Sequence, residues 1–361
     1  MNKDLFRMRP FTWVLAAILA ALLGLIAIGC FMIATPYYKG APSDHFDGRH
    51  FFNNEAPIGR RGFGSFFKWM WTRKPGPWLD WIANPPAEPL PERVGPGELR
   101  VTFVGHSTVL IQMDGLNILT DPFWSERIGP VGFIGPKRHR APGVRFEDLP
   151  PIDVVLIGHN HYDHMDMPTL ERLAAVHHPL FLTGLGNAAL LTARGIDRVR
   201  EMDWWQNEKL AEDVTANFVP ARHFSGRGLC DRNRSLWGGF VIQGPAGTVY
   251  FSGDTGMGPQ FEEIRKKFGR PRLALLPIGA FRPRWFMGPV HLSPDEAVEA
   301  HQILGAGTSL AVHFGTLRLG DDGQFEPVEE LFRSLGERGV SAARFWVLEP
   351  GQGRAVPHLP D

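Results

Sequence analysis

Three imidazoles and a carboxylate fall within six residues at His159-Asn160-His161-Tyr162-Asp163-His164. They directly follow the apolar run Val154-Val155-Leu156-Ile157 and Gly158. Such nitrogen and oxygen donors suit Zn²⁺, Fe or Mn²⁺ rather than a thiolate-seeking metal. One loop cannot wrap four side chains tetrahedrally around a single ion without strain. Two adjacent ions, each taking part of the motif, relieve it, but both then need ligands from elsewhere. His223 follows the predicted strand Ala216–Pro220, Asp254 follows Val249-Tyr250-Phe251-Ser252-Gly253, and His313 ends Ser309-Leu310-Ala311-Val312. Each stands where an apolar strand reaches a loop edge, the position at which α/β sheets set their active sites. Two divalent ions about 3.5–4 Å apart can share a hydroxide and clamp both ends of an in-line displacement. Asp163 and Asp254 are the carboxylates that would orient that nucleophile. His291, in Gly288-Pro289-Val290-His291-Leu292-Ser293-Pro294, lies in a loop before a predicted helix.

The elements that must position these groups are short. β-branched runs ending in Gly, Asp or His recur at Leu99–Val104, Thr108–Met113, Asn117–Thr120, Val154–Ile157 and Leu180–Thr183. They continue at Val214–Val219, Gly239–Gln243, Thr248–Ser252, Leu273–Pro277 and Ser309–Phe314. Helical stretches at Pro168–Ala175, Asn187–Thr192, Gly258–Phe268, Pro294–Leu304 and Pro327–Arg338 interleave with them. Strands alternating with helices predict an α/β layered architecture, with a single catalytic domain over 99–361. Residues 36–98 read as an aromatic-rich arm with one short helix, in which Phe66, Phe67, Trp69, Trp71, Trp78 and Trp81 either pad the domain or meet a lipid surface.

His-x-His-x-Asp-His, a distant His, Gly-Asp-Thr-Gly and a last His together resemble the metallo-β-lactamase superfamily. The resemblance covers about residues 99–320 and implies an αββα four-layer sandwich with the metals at one edge. It implies that one Zn²⁺ takes His159, His161 and His223, that a second takes Asp163, His164 and His313, and that Asp254 bridges them. Gly105-His106-Ser107-Thr108-Val109-Leu110-Ile111, His223-Phe224-Ser225-Gly226-Arg227 and Asp231-Arg232-Asn233-Arg234-Ser235-Leu236-Trp237-Gly238-Gly239-Phe240 are similar to the N-acylphosphatidylethanolamine-hydrolysing phospholipase D branch. That branch implies hydrolysis of a phospholipid to N-acylethanolamine and phosphatidic acid by a hydroxide on two zinc ions. His291 is then a general acid or a phosphate contact, and His106, Arg227 and Arg234 are substrate contacts. A lactonase or other hydrolase of a soluble substrate on the same metals is the alternative.

Composition narrows the partners. Lys+Arg and Asp+Glu number 38 each, for a formal net charge of zero, so the basic surplus of a nucleic-acid binder is missing. The expected partners are a phospholipid and its membrane, with a homodimer left open. Two cysteines, Cys30 and Cys230, suggest no structural disulfide. Phe11 to Ala34 is an almost unbroken apolar run, longer than the roughly 20 residues that cross a bilayer. Lys3, Arg7 and Arg9 precede it. Positive flanks face the cytoplasm, so residues 1–35 are expected to form an N-terminal transmembrane anchor with the catalytic domain on the non-cytoplasmic, periplasmic side. A cleaved signal peptide and lipidation at Cys30 are the alternatives.

Overall fold

The computed structural model describes residues 10–27, 34–54 and 63–359. The first half of the catalytic region forms strands β1 (Leu99–Gly105), β2 (Thr108–Met113), β3 (Leu116–Thr120), β4 (Val154–Ile157), β5 (Leu180–Gly184) and β6 (Val199–Met202). The second half forms β7 (Asn207–Lys209), β8 (Thr215–Val219), β9 (Gly239–Gly244), β10 (Gly247–Phe251), β11 (Leu273–Pro277), β12 (Thr308–Val312) and β13 (Phe345–Trp346). β14 (Gly353–Ala355) returns to pair with β1, so the two seven-stranded sheets run β14-β1-β2-β3-β4-β5-β6 and β13-β12-β11-β10-β9-β8-β7.

Alternation along each strand sorts side chains into layers. Val154 and Leu156 of β4 join Val101, Ile111, Phe218, Phe240, Phe251 and Leu310 in the core between the sheets. Val155 and Ile157 face the other way, onto Leu170, Leu173 and Leu191 from α3 (Met167–His177) and α4 (Ala188–Thr192). On the far side, Tyr250, Leu276 and Ala311 pack against Phe261, Ile264, Val298 and Leu331. These come from α5 (Gln260–Phe268), α7 (Pro294–Leu304) and α8 (Glu326–Glu337). Two sheets flanked by helices make the expected four layers. α7 starts with a capping box: the Ser293 hydroxyl accepts from the Glu296 amide and the Glu296 carboxylate accepts from the Ser293 amide.

The expected membrane anchor is corrected. The helix there, α1 (Pro10–Ala27), has 18 residues, about 27 Å at 1.5 Å per residue, against a hydrocarbon layer of roughly 30 Å. Among the described residues no helix is long and apolar enough to cross a membrane. Residues 28–33 of the expected span lie outside the described residues. The periplasmic placement rested on that anchor and falls with it. Cys230 is disulfide-bonded, contrary to expectation.

In the arm, α2 (Phe63–Thr72) is the expected short helix. Trp69 stacks on Phe286 at 4.9 Å, and Arg73 pairs with the buried Asp321 at 2.9 Å. The earlier stretch, 34–54, lies against the catalytic region: His45 stacks on Trp204 at 4.4 Å and the Phe51 amide donates to the Asn233 carbonyl at 2.8 Å.

Candidate metal centre

Strand ends of both sheets converge on one point because glycine backbones let them. A Cβ on Gly158, after β4, would meet the Gly238 carbonyl at 3.0 Å, and one on Gly253, after β10, would meet the same carbonyl at 2.7 Å. The loop carrying His159 and the loop carrying Asp254 are thereby brought together from different sheets. β8 delivers His223, β12 delivers His313 (φ 58), and His291 follows α6 (Arg284–Met287), its amide donating to the Met287 carbonyl at 2.9 Å.

Two donor clusters result. In one, His159 Nε2 stands 2.7 Å from His161 Nδ1, and His223 Nε2 stands 3.3 Å from that same atom. In the other, His164 Nε2 lies 3.2 Å from Asp163 Oδ2, while His313 Nε2 lies 3.5 Å from it. Asp254 Oδ2 reaches both: it is 3.2 Å from His164 Nε2 and from His313 Nε2, and 3.8 Å from His223 Nε2. Ligand atoms sit about 2.0–2.2 Å from Zn²⁺, so two atoms on one ion stand roughly 3.3 Å apart. Most of these spacings match that value. The clusters also leave buried polar atoms without hydrogen-bond partners, including His164 Nε2, both ring nitrogens of His313, His291 Nδ1 and Asp254 Oδ1. Buried orphans are costly, and a cation would satisfy them. The residues present therefore fit a metal.

Outer contacts aim the rings. His223 Nδ1 lies 2.9 Å from the Val290 carbonyl, which sets Nδ1 as the donor and frees Nε2 to bind. His106, expected to touch substrate, is 1% exposed and holds Asp163 Oδ2 at 2.9 Å. Its left-handed backbone (φ 55) directly after β1 accompanies this inward placement. Arg227 donates to the Asn160 and Met165 carbonyls, both at 2.9 Å, and Arg234 donates to the Thr35 and Cys230 carbonyls. Each guanidinium group thus serves backbone carbonyls, and Arg234 Nε is left without a partner. Asp121, not among the residues expected at the site, places its Oδ2 2.6 Å from His164 Nδ1. Its signal was present: Asp121 ends a strand just as Asp254 does.

The clusters differ electrostatically. Burial pushes His161 and His223 down to about 3 and His159 well below its ordinary value, so that cluster is neutral imidazole. Burial also opposes charge on His164 and His313, but the Asp254 and Asp163 carboxylates outweigh it. His164 is held well above its ordinary value and His313 is raised to about 9. His291, 3.7 Å from Asp254 Oδ2, is pushed by burial down to about 3 and is neutral near pH 7.

A family model of the β-lactamase superfamily domain matches residues 116–314. The chain is 41% identical over 281 residues to an uncharacterized protein of Mycobacterium tuberculosis, covering 75% of this chain and 74% of that one. It is 37% identical over 251 residues to N-acyl-phosphatidylethanolamine-hydrolyzing phospholipase D 1 of Caenorhabditis elegans, covering 66% of this chain and 70% of that one. A possible metal-dependent hydrolase of Veillonella parvula shares the fold, with a TM-score of 0.58 and 16% identity over 71% of this chain and 99% of its own.

Proposed function

The chain belongs to the β-lactamase superfamily as a metal-dependent hydrolase, and we propose that it is a phosphodiesterase of phospholipase D type. Its substrate in this reading is an N-acylphosphatidylethanolamine-like phospholipid, cleaved to an N-acylethanolamine and phosphatidic acid on two Zn²⁺ ions. The observation that carries the two-ion site is Asp254 Oδ2, within 3.2–3.8 Å of imidazoles from both clusters. His159, His161 and His223 would hold one ion; Asp163, His164 and His313 the other; Asp254 both. Two ions bound there supply an activated water near neutral pH and neutralise charge on a phosphoryl group.

The chain's own side chains do the rest. Asp163 and Asp254 fix the direction from which water approaches. His291, neutral and beside Asp254, can hydrogen-bond a phosphoryl or leaving oxygen through a ring N–H. The similarity to the nematode phospholipase D supports the lipid substrate, and so does the surface of the arm. There α2 exposes Phe67 and Trp71 at 64% and 92%, and Lys68 lies 4.9 Å over the ring of Trp285, itself 47% exposed. Large exposed aromatics on one short helix fit an apolar partner such as a lipid surface.

A panel on metal-replete protein tests this: N-acylphosphatidylethanolamine vesicles, a lactone and a simple carboxylic ester. Release of N-acylethanolamine and phosphatidic acid is expected from the vesicles. Turnover of the lactone with no lipid product overturns the phospholipase reading and leaves the hydrolase.

A further inference from the structure

The two halves of the candidate metal centre differ in what braces them. The cluster of Asp163, His164 and His313 is braced from within the catalytic region, by Asp121 on His164 and His106 on Asp163. The cluster of His159, His161 and His223, whose His223 ring is set by the Val290 carbonyl, is braced by the N-terminal arm as well. Asn160, lying between two of its histidines in sequence, is 0% exposed. Its Nδ2 donates to Thr35 Oγ1 at 2.9 Å and to Ser235 Oγ at 3.0 Å, and its Oδ1 accepts from the Gly226 amide at 2.7 Å. Thr35 in turn gives both its amide and its hydroxyl to Asp231 Oδ2, at 2.7 and 2.9 Å. The same buried carboxylate accepts the amides of Arg227 and Gly228. Asn53, at the other end of the arm segment, donates from Nδ2 to the His223 carbonyl at 3.0 Å.

We propose that the segment from Thr35 to Asn53 is a working part of the His159–His161–His223 cluster, with Asn160 the positioning residue through which Thr35 acts. The inference rests on the two-ion reading above. A planar amide bonded from three sides holds the backbone between His159 and His161 in one orientation. A ligand loop that has lost such a bond must be ordered by the metal itself, which weakens binding. Groups that orient ligands from behind typically change affinity by about 10–100-fold. Because the arm's contacts among the described residues support one cluster, its loss should weaken one ion and spare the other. A residue acting merely through general stability would weaken both.

The test measures the two Zn²⁺ affinities of the full chain by chelator competition, with Co²⁺ absorption reporting each site's ligand geometry. Thr35→Val keeps the shape and removes the hydroxyl. It should weaken one ion by roughly tenfold or more and change the Co²⁺ spectrum, and Thr35→Ser should restore both. Asn53→Ala should weaken the same ion and decides the matter if Thr35→Val does not fold. Asp121→Asn should weaken the other ion. Wild-type protein that binds fewer than two ions removes the two-ion reading, and the inference with it. Wild-type protein that binds two, with arm variants that leave both affinities unchanged or lower them equally, overturns the inference alone.

Discussion

Oδ2 of Asp121 lies 2.6 Å from Nδ1 of His164, and neither side chain touches water. The Gly158 amide donates to the other carboxylate oxygen at 2.7 Å, so Asp121 ties the start of the ligand loop to the ring of its last histidine. An acceptor at Nδ1 leaves Nε2 free to bind and makes it more basic. Asp121→Ala should lower Zn²⁺ affinity by about 10–100-fold, and Asp121→Asn, which keeps an acceptor oxygen, should lose less. Chelator competition reads both; unchanged affinity in the alanine variant would mean that the contact does not tune the site.

Metal binding should release protons. In the metal-free protein the Asp254 and Asp163 carboxylates keep His164 and His313 protonated, His313 up to about 9, whereas burial leaves His161 and His223 neutral down to about 3. A ligand must shed its proton before it can bind. Apparent affinity for one ion should therefore rise with pH through neutrality toward about 9, while the other stays nearly flat. Calorimetric titrations in buffers of different ionisation enthalpy check this, and zero net proton release at pH 7 contradicts it.

What the sequence disclosed was local. β4 at Val154–Ile157 and α7 at Pro294–Leu304 match expectation because an unbroken apolar run and a helical stretch opened by proline are signals within a few residues. β7 escaped because Asn207-Glu208-Lys209 is a polar edge strand, and β14 because Gly353–Ala355 is a strand only by virtue of its partner β1. The seven ligand candidates were readable as strand-end residues. The arm's grip was not: Thr35 meets Asn160 across 125 positions and Asp231 across 196. The carbonyls that Arg227 and Arg234 serve were hidden for the same reason, since residue type announces a phosphate partner as readily as a distant carbonyl.

His291 separates mechanism from metal binding. If its ring hydrogen-bonds the leaving oxygen, His291→Ala keeps both ions and loses roughly 10²–10⁴-fold in turnover. That loss should shrink for a p-nitrophenyl diester, whose leaving group needs no help. Loss of metal from the variant would make His291 a ligand beside His223 and Asp254, a grouping its position allows. Equal losses on good and poor leaving groups, with metal retained, would end the leaving-group role.

The last prediction concerns how the arm responds to pH. His45 lies between two carboxylates, Nδ1 2.6 Å from Asp44 and Nε2 2.7 Å from Asp203, with its ring on Trp204. Burial alone would lower its pKa, but hydrogen bonds to Asp203 and Asp44 outweigh it and the value is raised above 6.5. A folded-state value above the unfolded one contributes stability that is fully present below 6.5 and is lost as pH rises through the raised value. The chemistry behind this is that imidazolium donates from both nitrogens, whereas neutral imidazole donates from one and turns a lone pair toward the other carboxylate. Melting temperature and resistance of the arm to proteolysis should therefore decline as pH rises above 6.5. His45→Gln should be less stable at the acid end and should flatten the decline. Parallel pH profiles for wild type and His45→Gln would show that the two carboxylates do not set this response.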